Sequence, residues 1–130
     1  MTPAWIPIAV LAGLPDMGPA RLGALLANGD PASTLEHVRA GRWGRLAHIA
    51  TVRGVVPELL ATWTDAARQV VDDEVVEAHR TLGVEVDVVR AGLPARLADD
   101  IEAPPVLFRH GRPLDETRPI VAIVGTLSLI

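Results

Sequence analysis

The sequence predicts an α+β fold in two parts: a helical unit over residues 1–83, then a small sheet over residues 84–130. Three observations carry this. Apolar residues up to Leu82 recur three and four positions apart between Pro and Gly punctuation, which is helical spacing. At Val84 the period changes to two, because Val84, Val86 and Val88 alternate with Glu85 and Asp87. Ile120 to Val124 is a continuous apolar run, which suits a strand covered on both faces.

The first helix is expected in the apolar stretch Ile6–Leu14, where Ile6, Ala9, Val10 and Gly13 share a face and Gly13–Pro15 stops it. The stretch is too short to span a bilayer and lacks the cationic start of a signal peptide, so a cytoplasmic protein is expected. Pro19 fits the first turn of a second helix, where a missing N–H costs nothing. Leu22, Leu25 and Leu26 follow at helical spacing, and Asn28-Gly29 is a stop. Asp30-Pro31 opens a third helix, ended by Gly41. Arg42 to Val52 places Trp43, Leu46, Ala47 and Ala50 on one stripe. Pro57 to Trp63 supplies another turn or two. Thr64 is expected as the N-cap of a longer helix carrying Ala67, Val70, Val71, Val75, Ala78 and Leu82, closed by Gly83. No internal repeat is visible.

After the strand at Val84–Val88 come a break at Gly92–Pro94 and a short turn with Leu97. Val106-Leu107-Phe108 is a second strand, closed by Gly111, and Ile120–Val124 a third. A central strand needs neighbours and helices on both faces. Only four residues follow Gly125-Thr126. The chain is therefore expected to be a fragment that enters a nucleotide-type fold and stops, with an apolar tail that self-associates or meets a partner.

Composition narrows the function. The 130 residues are 49% hydrophobic and 22% charged, enough for a packed core, with a net charge of −4. That excludes a globally basic nucleic-acid binder. With no cysteine there are no disulfides, thiol nucleophiles or cysteine metal sites. All twelve cationic residues are arginine, which removes lysine Schiff-base chemistry and a Walker-type lysine. The charge is uneven: residues 1–63 carry +1, residues 64–103 carry −6 and residues 104–130 carry +1. Any nucleic-acid contact is therefore expected in the first or last segment.

The run Pro104-Pro105-Val106-Leu107-Phe108-Arg109-His110-Gly111, followed after a loop by Val121-Ala122-Ile123-Val124-Gly125-Thr126, resembles the DNA-processing protein A (DprA, or Smf) family. Pro94-Ala95-Arg96-Leu97 resembles that family's Tyr-Pro-x-x-Leu turn, with Leu93 in place of tyrosine. Leu14-Pro15-Asp16-Met17-Gly18-Pro19 resembles its helix-hairpin element, often Leu-Pro-Gly-Ile-Gly-Pro. The resemblance implies a helical domain of sterile-alpha-motif or helix-hairpin type before the first strands of a Rossmann-like domain. It implies a cytoplasmic factor of natural transformation that handles single-stranded DNA and loads the recombinase RecA, with no enzymatic step and no cofactor. Two departures predict weak DNA binding. Leu127 replaces the family's arginine after Gly-Thr, and Asp16 stands where glycine is usual in the hairpin.

The candidate nucleic-acid contacts are Gly18 and Arg21 in the hairpin, Arg42 and Arg45 beside Trp43, and Gly125 and Thr126 at the end of the third strand. Arg39 belongs to the same cationic cluster. Each has a plainer reading: a helix–helix turn, a core tryptophan with solvated arginines, a strand end. His110 beside Arg109 is placed the same way, as a surface residue at a strand end. The four histidines show no ligand spacing of three or four, and Glu74 and Glu77 sit on an acidic, solvent-facing helix. Two alternatives stand beside the DNA-processing reading: a nucleotide-binding module using Gly125-Thr126, and a protein-interaction domain using its C-terminal strand.

Overall fold

A computed structural model describes residues 3–88 and 104–112. The element order is α1 (Trp5–Ala12), α2 (Pro19–Leu26), α3 (Pro31–Ala40), two 3-10 turns (Trp43–Arg45 and Ala47–Thr51), α4 (Pro57–Gln69), α5 (Asp72–Leu82), β1 (Val84–Val88) and β2 (Val106–His110). The chain is thus α+β, five helices and a two-stranded antiparallel sheet among the described residues. The expected strand at Ile120–Val124, the Gly92–Pro94 break and the turn at Leu97 lie outside them. No described helix is long and apolar enough to cross a membrane.

The core forms around α1, whose residues Ile6 to Leu11 are all buried. Leu22 and Leu25 of α2, Leu35 and Val38 of α3, and Trp63 and Ala67 of α4 close over it. Leu46 and Ile49 from the 3-10 turns complete the cluster. The sheet joins the same core through buried Val106, with Val86 packed against it. Val84 pairs with His110 and Val88 with Val106.

Helix starts follow the sequence closely where Pro and a capping residue coincide. Asp30 accepts a hydrogen bond from the Ser33 N–H at 3.0 Å, and Pro31 begins α3. α2 ends at Leu26, two residues before Asn28, whose side-chain amide donates to the carbonyls of Ala24 and Leu25.

Two expectations change. Thr64 does not start a helix: α4 runs through it, and its hydroxyl is buried and donates to the Val38 carbonyl at 2.8 Å. The break falls instead at Val70-Val71, both extended. The reason is a distant cation. Arg39 in α3 donates through Nε to the Ala67 carbonyl at 2.9 Å and through Nη2 to the Val70 carbonyl at 3.2 Å. It thereby satisfies acceptors that the end of α4 leaves open. The same Nη2 reaches Asp72 Oδ1 at 3.0 Å, where α5 begins with Asp72, Asp73 and Glu74 in its first turn. The stripe expected over Arg42–Val52 also gives way. Leu46 is buried and Trp43 half-buried, but Ala47 and Ala50 are exposed, because the 3-10 turns do not hold a 3.6-residue period.

Candidate functional site

The strongest candidate site is built from two hairpins with the same backbone. The first is Leu14-Pro15-Asp16-Met17-Gly18-Pro19, between α1 and α2. The second is Val52-Arg53-Gly54-Val55-Val56-Pro57, before α4. In each, the third residue has positive φ: Asp16 at 56° and Gly54 at 87°. In each, the fifth residue is extended, Gly18 at φ −128° and Val56 at φ −113°, and the sixth is a proline opening the helix.

The hydrogen bonds repeat as well. The Leu14 N–H donates to Leu11 at 3.3 Å and the Val52 N–H to Ile49 at 3.2 Å. The Met17 N–H donates to Leu14 at 3.2 Å and the Val55 N–H to Val52 at 3.3 Å. The Leu22 N–H donates to Gly18 at 2.9 Å and the Leu60 N–H to Val56 at 3.2 Å. The likeness lies in the backbone and not in the sequence, since proline is the one residue the two six-residue stretches share at the same position.

The two hairpins line one open groove of about 710 Å3, with Asp16, Gly18 and Arg21 on one side and Arg53, Gly54 and Leu59 on the other. Neither α2 nor α4 receives a side-chain cap; in α4 the Leu59 N–H donates to the Val56 carbonyl at 3.0 Å and Glu58 adds a carboxylate, so the open first-turn N–H groups lie mainly at the start of α2. Arg21 joins the two halves. Its Nη1 donates to the Asp16 carbonyl at 2.6 Å, and its Nη2 lies 2.8 Å from where a Cβ on Gly54 would stand. Gly54 thus makes room for the guanidinium and also adopts a backbone conformation that costs an L-residue about 1–2 kcal/mol.

The expected site residues separate. Gly18 and Arg21 belong to the groove. Gly18 is the extended residue before α2, and a Cβ there would meet nothing within 4 Å. Arg42 lies elsewhere, its Nε donating to His37 Nδ1 at 3.0 Å, and Arg45 is exposed at the end of the first 3-10 turn. Arg39 leaves that cluster for the end of α4. Trp43 packs toward the core, its ring centroid 6.1 Å from that of Trp63. Gly125 and Thr126 lie outside the described residues. His110 ends β2, its ring 3.5 Å from a Cβ placed on Gly83.

Arg53 and Gly54 were not singled out by sequence. The available signal was spacing, since Gly54 precedes Pro57 as Asp16 precedes Pro19. Among the described residues no group of three or more His, Asp or Glu side chains is placed to hold a metal ion. Comparison with protein-family models, with curated proteins and with solved structures gives no match.

Proposed function

We propose that this chain is a DNA-processing protein of the DprA kind, handling single-stranded DNA and assisting RecA loading in natural transformation, with weak DNA affinity of its own. In this reading the helices form a domain of sterile-alpha-motif or helix-hairpin type. The sheet opens a Rossmann-like layer, the protein works in the cytoplasm, and it self-associates through its C-terminal strand. No catalytic step and no cofactor are assigned.

The observation that supports the reading is the shared groove of the two hairpins. Two uncapped helix starts and two arginines border it, in the part of the chain that is not acidic. Phosphate is the natural acceptor for such donors, and contacts of this kind carry no base preference. Weakness has two sources. Asp16 brings a carboxylate to the groove wall, and Arg21 already donates to the Asp16 carbonyl. Arg53 is left as the cation with no protein partner among the described residues.

The test is fluorescence anisotropy of labelled oligo-dT titrated with the full chain. The expected result is a dissociation constant of about 10⁻⁴ M at physiological salt, as for a weak non-specific phosphate contact, tightening as salt is lowered. Arg53→Ala is expected to abolish the signal. Binding that ignores salt contradicts the phosphate contact, and so does silence at low salt. A micromolar or tighter complex at physiological salt contradicts the weakness.

A further inference from the structure

Helix α5 is amphipathic, with Val71, Val75, Ala78 and Leu82 at spacings of three and four just before and along it; Val75 packs against the core, yet none of the helix's residues is fully buried. Every other helix buries at least two. One side of α5 packs against α1 and β1. Beside that packed side lies a groove of about 400 Å3 formed by Glu74, Glu77, Ala78, Thr81 and Leu82. A second groove of about 380 Å3, between α5 and α1, shares Glu74 and Ala78 with the first. Leu82 is 66% exposed and Val71 51%.

The charge on α5 is mainly negative, with Asp72, Asp73, Glu74 and Glu77 against Arg80. Asp72 is taken by Arg39 and Glu77 by Arg80. Asp73 and Glu74 have no cationic partner among the described residues. Glu74 lines both grooves, and an apolar stripe with that unpaired carboxylate at its edge fits a surface of opposite charge and like hydropathy.

We infer that the Glu74–Leu82 face of α5 is a docking surface for a cationic amphipathic helix of a partner protein, with aliphatic side chains seated along Ala78 and Leu82 and arginine or lysine beside Glu74. The surface lies on a different element from the hairpin groove, and the inference does not depend on the DNA-processing reading. Apolar contact supplies the affinity, and the carboxylates set orientation and exclude acidic partners.

The probe is a synthetic helical peptide with leucine and alanine on one face and arginine on its flanks. Its control has the same composition scrambled so that no apolar face forms. Both are titrated by anisotropy against the full chain. The inference expects the amphipathic peptide to bind at least about tenfold more tightly than the scramble. Leu82→Glu is expected to weaken the amphipathic peptide by about tenfold or more, and Glu74→Arg to weaken it as well. Both sites are exposed, and circular dichroism checks that each variant is folded. Equal binding of the two peptides overturns the inference, as does no binding or indifference to Leu82→Glu. Sedimentation revealing a dimer that Leu82→Glu dissolves makes the occupant a second copy, and also overturns it.

Discussion

The indole N–H of Trp63 donates to the carbonyl of Pro15 at 2.6 Å, across a sequence separation of 48 residues. Trp63 is fully buried and lies in α4, the helix that the second hairpin opens. Pro15 is in the first hairpin. One side chain thus fills the core and fixes the first hairpin against the helix that follows the second, so packing and groove geometry are coupled.

Substitution of Trp63 tests that coupling. Trp63→Ala is expected to cost about 3–5 kcal/mol through the cavity it opens. Trp63→Phe keeps most of the ring but leaves the Pro15 carbonyl without its donor, and is expected to cost about 1–3 kcal/mol. Urea denaturation checks both. A smaller loss for alanine than for phenylalanine contradicts the assignment.

Asp16→Gly is expected to stabilise the fold by about 0.5–1 kcal/mol, because glycine adopts a φ of 56° without the Cβ penalty. The asparagine variant separates charge from backbone. Asn tolerates the left-handed region much as Asp does, so Asp16→Asn is expected to leave stability nearly unchanged. Destabilisation by glycine would contradict the strain at this position.

Gly54→Ala is expected to cost about 1–2 kcal/mol for the left-handed backbone, plus the displacement of the Arg21 guanidinium. In an Arg21→Ala background the second part vanishes and the first remains. A double-mutant cycle reads the difference as a coupling energy. Strict additivity would mean that Arg21 and Gly54 are independent.

Arg39→Met is expected to cost about 2 kcal/mol, since it leaves the Ala67 and Val70 carbonyls at the end of α4 without their charged donor. Asp72→Asn is expected to cost under about 1 kcal/mol, because the pair is partly exposed and solvent screens it. The reverse order in thermal or chemical unfolding would make the ion pair, and not the helix end, the source of stability.

Much of the helical part was legible because its signals are local. Pro19 and Asp30-Pro31 mark helix starts through covalent geometry and capping, and the alternation at Val84–Val88 marks a strand. Thr64 misled because the same residue type serves as a cap or as a buried donor, and the choice depends on whether the Val38 carbonyl is within reach. The break at Val70-Val71 depends on Arg39, 31 residues away from Val70. No local pattern encodes that contact. Half of the candidate site was visible in the Asp16–Pro19 turn. The other half was hidden, since the likeness of Asp16 to Gly54 lies in φ, and φ is not written in the residue names.

The claim that the two hairpins act as one phosphate-facing groove is tested most directly by backbone amide chemical shifts during titration of the full chain with oligo-dT at low salt. The account predicts that amides of residues 16–21 and 53–59 shift together and along one saturation curve, and that Asp16→Gly steepens that curve. Shifts confined to the Arg42–Arg45 turn would contradict it, as would movement of one hairpin without the other.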